Sequence, residues 1–200
     1  MIITCQNIRL KTVTLEDIEL IRLWRNSENV NRFLVSRDAI SPEAQLDWFG
    51  SLNPATSIYF IISAGDLKIG LIYASNINSS EKSFEGNIFI GDPSFADSFL
   101  PVQASLLVTL LFFEHFGFAM SYSKVHESNT RAIEFDRKLG FRETGKHNGL
   151  IRSRCVKEDF FIACSKMLKL LLNGDAGMKL VYEPGDEKYP FIKINTFDKV

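Results

Sequence analysis

The sequence is poor in the residues that staple or metallate small folds. Its three cysteines, Cys5, Cys155 and Cys164, form an odd and widely spaced set over 200 residues. That pattern excludes a disulfide framework and a structural zinc site, and it reads as isolated thiols in a reducing compartment. The three histidines, His115, His126 and His147, form no metal constellation. No charge of one sign prevails: 23 Lys and Arg against 24 Asp and Glu leave a net charge of −1. Neither a nucleic-acid partner nor a membrane surface is expected. Long apolar runs are missing as well. "LLVTLLFF" (Leu106 to Phe113) is too short to cross a bilayer, and "MIITCQNIRLK" lacks the apolar stretch of a signal peptide. A cytoplasmic protein is the expectation. One absence is local: no glycine lies between Asp92 and Pro101. That segment joins a strand to a helix, where phosphate-wrapping loops normally need glycine.

What is present is a core-forming chain. Hydrophobic residues make up 46% of the sequence and 17 residues are Phe. A chain of this length buries roughly 70% of its unfolded surface. "IRLKTVT" alternates like a strand, and "TLEDIELIRLWRN" follows as a helix with Thr14 and Asp17 at its start. "SPEAQLDWFGSL" opens a second helix, with Ser41 as cap and Pro42 at the first helical position. "SIYFIIS", "LKIGLIYASNI" and "SFEGNIFIG" read as three strands, the first two as a hairpin. The apolar helix from Val102 to Phe116 stops at Gly117 and is expected to be buried on most sides. "SYSKVHE" then reads as a strand, "SNTRAIEFDRKLG" as a helix and "KEDFFIACS" as a last core strand.

The resulting order, βααβββαβαβ, predicts an α/β (α+β) fold with a mixed sheet flanked by helices. The division expected is a domain over 1–172 and a C-terminal extension over 173–200. "MKLVYEPGDEKYPFIKIN" in that extension reads as a short hairpin. Three roles stand equal for it: covering a sheet edge, pairing with a second copy as a homodimer, or hanging loosely.

"NTRAIEFDRKLGFRETG" resembles a hallmark of the GNAT N-acetyltransferases. "IRLWRNSENVNRFL", "SPEAQLDWF", "KIGLIYASNIN" and "FEGNIFIG" fall in that family's order and spacing, so the resemblance covers about Ile8 to Lys166. Within the family the chain is similar to amino-sugar nucleotide N-acetyltransferases and to N-terminal-amine acetyltransferases. The resemblance implies a mainly antiparallel sheet with a V-shaped opening that takes acetyl-CoA, its thioester beside a β-bulge. It also implies transfer of the acetyl group to a small-molecule amine.

Residue by residue, the resemblance puts the pantetheine against the backbone of Phe89, Ile90 and Gly91. An N–H there would also polarise the thioester carbonyl. Glu85 becomes the candidate base, with a solvated strand charge as the alternative. His126 is either a proton relay or a satisfied structural histidine. Trp24, Arg25, Asn26, Trp48 and Phe49 would line the acceptor side, aromatic faces for a sugar ring and Arg for a phosphate; core packing is the competing reading for each. Asn129 matches a cofactor-contacting asparagine, and helix capping explains it equally.

Two departures accompany the resemblance. The family's glycine-rich pyrophosphate loop, with its arginine, falls on Ala96, Asp97, Ser98, Phe99, Leu100 and Pro101. Only the N–H groups of Gln103 and Ala104 are then left to attract a phosphate, and weaker CoA binding is expected. The family's acidic tyrosine falls on Asp136, which donates no proton unless burial raises its pKa strongly; Tyr122 or Ser128 are the substitutes. Besides acetyl transfer, these losses leave open a catalytically silent binding module, or an acyltransferase fed by a carrier protein.

Overall fold

The computed structural model describes residues 1–34, 37–173 and 177–192. In chain order the strands and helices are β1 (Ile2–Cys5), β2 (Ile8–Thr12), α1 (Ile18–Asn26), α2 (Glu28–Asn31), α3 (Pro42–Gly50), β3 (Ile58–Ala64), β4 (Leu67–Asn78) and β5 (Ser83–Ile90). There follow α4 (Leu100–Leu110), β6 (Met120–His126), α5 (Thr130–Lys138), β7 (Arg142–His147), β8 (Leu150–Val156), α6 (Lys157–Leu172) and β9 (Lys179–Val181). The strands form one sheet in the order β7-β8-β6-β5-β4-β3-β2-β1-β9. Every neighbouring pair is antiparallel except β5 and β6, which run parallel.

The sheet divides two apolar layers. On one face, α4 and α6 cover a large core in which Phe84 of β5 stacks on Phe112 at 4.2 Å. On the other, α1 supplies Ile21 and Trp24 against Ile61 and Leu71. The Ser41 hydroxyl caps α3 by accepting from the Ala44 N–H at 3.1 Å, with Pro42 at the first position as the sequence predicts. α4 starts at Leu100, two residues earlier than expected, and continues into a π-helical turn, Leu111–His115, closed by the Phe116 N–H on the Leu111 carbonyl.

β1, α2, β7 and β8 have no counterpart in the sequence reading, and one expected strand is a helix. "KEDFFIACS" is not the last core strand but the first half of α6. Its buried residues Phe160, Cys164, Leu168 and Leu171 recur at helical spacing, a period that becomes visible only over the full 16 residues. The core strand is β8, joined to β7 by a two-residue turn at Asn148 and Gly149, both at positive φ (49° and 73°). Asn-Gly between short strands is a strong hairpin signal.

The tail hairpin expected from the sequence is not formed among the described residues: β9 is followed by a 3-10 turn, Asp186–Lys188, and 189–192 carry no strand, while 193–200 lie outside the described residues. β9 pairs with β1 and so covers the sheet edge. The Met1 amino nitrogen sits 2.8 Å from the Asp186 carboxylate and 3.1 Å from that of Glu183. Phe191 packs against Phe112 and Phe116 at 5.8 and 5.5 Å.

Where β5 ends, the indole of Trp24 lies against the Gly91 backbone. A Cβ on Gly91 would meet Trp24 ring atoms at 2.2 Å, whereas one on Gly50 meets nothing within 4 Å. Gly91→Ala is therefore expected to cost about 1–3 kcal/mol through overpacking, and Gly50→Ala to cost nothing. Urea unfolding midpoints compare the two, and equal midpoints would refute the packing account.

Candidate active site

The parallel pairing of β5 with β6 is short. It comprises Ser83–Met120, Phe84–Ser121 and Glu85–Tyr122, after which the strands part. β5 stays paired with β4 along its length, and the Gly91 N–H donates to the Ile69 carbonyl at 2.9 Å. Because an antiparallel pair bonds through alternate residues, the odd-numbered peptides of β5 face β4 and the even-numbered ones face the opening. Of the three expected backbone contacts, Phe89 and Gly91 are thus turned away and Ile90 remains. Gly86 and Ile88 join it. The partner strand's register is the signal that finds them.

Side chains alternate across the sheet as well. On the α4 face, the inner end of the opening is a cavity of about 50 Å³ lined by Gly86, Ile88, Thr109, Ser121, Ser123 and Asp136. The Ser123 hydroxyl donates to Asp136 Oδ2 at 2.6 Å. Burial pushes the Asp136 carboxyl up to about 6, against the opposing pull of that hydrogen bond. The carboxyl therefore keeps a proton up to about pH 6 and a minor protonated fraction at neutrality.

On the opposite face lies a cleft of about 450 Å³, lined among others by Asn76, Glu85, Tyr122, Lys124 and Arg152. Glu85 Oε2 accepts from Lys124 Nζ at 2.5 Å and from Asn76 Nδ2 at 3.2 Å. Asn76 has φ 49° and sits at a bulge where β4 places two residues opposite Phe84. This bulge lies in the ladder of β4 with β5, beside Glu85. Tyr122 is 37% exposed in the cleft, and Ser123 contributes to both chambers.

The expected acceptor residues lie apart from this cleft. Trp24 is buried edge-on to Phe89 at 6.4 Å, and Trp48 is edge-on to Tyr59 at 5.2 Å. Asn26 holds the Ile40 backbone from both sides, accepting from its N–H and donating to its carbonyl at 2.9 Å each. Arg25 and Phe49 are half-buried. Burial pushes the Tyr73 hydroxyl up to about 12, against the pull of Arg25. His126 Nδ1 is 2.8 Å from the Ser128 hydroxyl, fixing the turn after β6.

The outer mouth of the opening is rebuilt. Ser98 donates to the Phe95 carbonyl and accepts from the Leu100 N–H at 3.3 Å, and Pro101 has no N–H. The Gln103 N–H, expected to be free, is taken by the Phe99 carbonyl at 3.0 Å, because α4 begins early. Ala104 lies one residue deeper in the same helical ladder. The Gln103 side chain donates to Gln6 at 3.0 Å. Asn129 caps α5, accepting from the Ala132 N–H at 3.1 Å. From the first turn of α5, Arg131 pairs with Asp97 at 2.8 Å and donates to the Ala96 carbonyl. The pair is 63% and 90% exposed, and exposed pairs are worth roughly 0–1 kcal/mol.

Among the described residues no group of His, Cys, Asp and Glu is placed to hold a metal ion, and no helix is long and apolar enough to cross a membrane. The acetyltransferase (GNAT) domain matches residues 7–142, so the chain belongs to the GNAT acetyltransferases, a family that uses acetyl-CoA. No curated protein matches the sequence. Among solved structures, FdhC, described as a nucleotide-linked sugar GNAT, is 22% identical, with 86% of this chain and 98% of that one covered and a TM-score of 0.72. Spermidine N-acetyltransferase from Vibrio cholerae, solved with CoA and spermine, is 18% identical over 78% and 98% of the two chains, TM-score 0.67. A domain from Methanocaldococcus jannaschii is 21% identical over 74% and 97%, TM-score 0.66. At these identities the likeness is one of fold.

The raised Asp136 carboxyl has a consequence for stability. The folded protein holds this proton up to about pH 6, while the unfolded chain releases it near 3.8. Stability should therefore fall as pH rises from about 4 to about 6 and stay lowered above that, by up to about 2–3 kcal/mol. Asp136→Asn keeps an acceptor for Ser123 without the charge. Its unfolding free energy is expected to exceed that of the wild type at pH 8 and to match it at pH 4. A gain that is the same at both pH values would refute the assignment.

Proposed function

We propose that the chain is an N-acetyltransferase that moves an acetyl group from acetyl-CoA to a primary amine, the amine being carried on an amino-sugar nucleotide. One observation carries the reading: Glu85 and the Asp136–Ser123 pair stand on opposite faces of a single opening between β5 and β6. The two proton transfers of an aminolysis need groups on those two sides.

Bound acetyl-CoA supplies an activated thioester. Glu85 acts as the base: the hydrogen bonds from Asn76 and Lys124 both fall on Oε2, which leaves Oε1 to take the proton of the attacking amine. The even-numbered N–H groups, Gly86, Ile88 and Ile90, face the opening and serve as oxyanion donors for the carbonyl. As the C–N bond forms and the C–S bond breaks, Asp136 gives its proton to the leaving sulfur. A carboxyl at about 6 is protonated in about a tenth of molecules at pH 7 and readily recharged, as a general acid should be. Ser123 holds Asp136 in place. On the acceptor side, Tyr122 offers an aromatic face and Arg152 a guanidinium, a pairing suited to a sugar and its phosphate. A polyamine would instead favour a cleft without lysine and arginine.

Glu85→Gln is expected to lower turnover by about 10²–10⁴ while changing acetyl-CoA affinity less than about twofold. Release of free thiol against a panel of nucleotide-linked amino sugars and polyamines reads the first quantity, and calorimetry the second. Undiminished turnover in the variant would remove Glu85 from the mechanism. Absence of thiol release with every amine would remove the reading itself.

A further inference from the structure

We infer that the chamber behind Asp136 is a built water site, in which Ser105, Thr109 and Ser121 hold ordered water against the carboxyl and let it exchange its proton away from the reacting atoms. The role given to that proton rests on the acetyl-transfer reading; the water site itself does not.

Four hydroxyls converge on the chamber from two elements. Ser105 and Thr109 stand four residues apart on α4 and so share one face of the helix. Ser121 and Ser123 stand two apart on β6 and share one face of the sheet. All four line the same chamber of about 50 Å³. The Ser123 hydroxyl is taken up by Asp136. Ser105, Thr109 and Ser121 are only 7%, 8% and 1% exposed, and among the described residues their hydroxyls have no hydrogen-bond partner. Protein atoms do not seal them in: among the described residues, the side-chain atom both sealed and unpartnered is Gln45 Nε2. The three hydroxyls therefore face the chamber. A Cβ on Gly86 would lie 3.6 Å from Ser121 Oγ, which sets that hydroxyl against the peptides at the closed end of the opening.

The lining decides what can sit there. Buried hydroxyls without partners are costly, and alanine or valine would fill the same positions without that cost. An apolar occupant would leave all three unpaired. An anion would meet Asp136 and no Lys, Arg or His, since none lines the chamber. A small neutral polar occupant is what remains. One water needs roughly 10–15 Å³ of such space and two to four polar partners; the chamber exceeds that volume, and the hydroxyls supply the partners.

Asp136 is the group this water completes. Its Oδ2 accepts from Ser123, and its Oδ1 has no partner among the described residues. A proton on the carboxyl belongs on Oδ1 and needs an acceptor. Water between Oδ1 and the hydroxyls of Thr109 and Ser121 provides it. Each turnover moves the Asp136 proton to the leaving sulfur. The water then returns a proton to Oδ1 and takes one up from solvent once the thiol has left the opening. Ser105, Thr109 and Ser121 are thus positioning residues, acting through water and Asp136.

Thr109→Val exchanges the hydroxyl for a methyl group of like shape, and it is compared with Thr109→Ser and Ser121→Ala in the full chain. Urea unfolding midpoints read the water. A water that loses a partner lowers the midpoint of both Thr109→Val and Ser121→Ala, whereas in a dry chamber Thr109→Val raises it by removing an unpaired hydroxyl. Thiol release reads the proton. Turnover of Thr109→Val is expected to fall roughly tenfold, less than loss of the acid itself would cause, with KM for acetyl-CoA within about twofold. Thr109→Ser should restore most of that turnover. A raised midpoint in Thr109→Val overturns the inference. A lowered midpoint with undiminished turnover overturns it too, because the water would then only fill space. Absence of thiol release from the wild type with every amine defeats the acetyl-transfer reading instead, and the midpoints still decide the water site.

Discussion

The site depends on a parallel strand pair that stops after three residue pairs. A sheet that opens in mid-domain leaves peptide groups without partners, and each such group is costly when buried. The chain tolerates this because both arms of the opening are saturated on their outer sides. β5 is paired with β4 from Gly70–Ile90 to Asn78–Ser83, and β6 with β8 from Met120–Val156 to His126–Leu150. The gap is therefore held by its flanks. What remains facing it is a short ladder of peptides with donors and acceptors pointing at whatever enters.

The two faces of that gap treat charge in opposite ways. Glu85 is met by an ammonium and an amide, so its carboxylate is compensated in place. Asp136 is met by one hydroxyl and otherwise by burial. One carboxylate is thus satisfied by its partners, whereas burial makes the other reluctant to lose its proton. The same residue type, or nearly so, is thereby divided into two roles by surroundings alone. Among the described residues, Ser123 is the side chain that touches the uncompensated carboxylate and also lines the chamber of the compensated one.

The central architecture was legible in the sequence because it is written in patterns the backbone imposes: capped helices at Ser41 and Asn129, alternating strands, and the Asn-to-Phe signature of α5. β1 and β7 were not legible. β1 alternates in burial but is only four residues long and its IITC run does not alternate in polarity, and every residue of β7 is exposed, so neither shows the sequence alternation that marks a half-buried strand. At the site, Glu85 and Asp136 are reached through the family resemblance, and their roles are part of the proposed function. Which peptides of β5 face the opening could not be read, since that follows from pairing register rather than residue type. The aromatic residues of α1 and α3 misled for a related reason. Trp24 and Trp48 have the chemistry of a sugar platform, but their neighbours Phe89, Tyr59 and Gly91 consume it.

The contact between β9 and β1 also sets the timing of folding. Ile3 is paired with Leu180, so one sheet edge and the outer side of the Phe112–Phe118 cluster wait for the last described segment to leave the ribosome. Until then the nascent sheet carries an open edge at β1 and an aromatic cluster lacking Phe191. Loop closure over such a separation is slow compared with formation of the local hairpins. The protein consequently passes through a stage in which its active-site strands can already be paired while its oldest strand is still available to other chains.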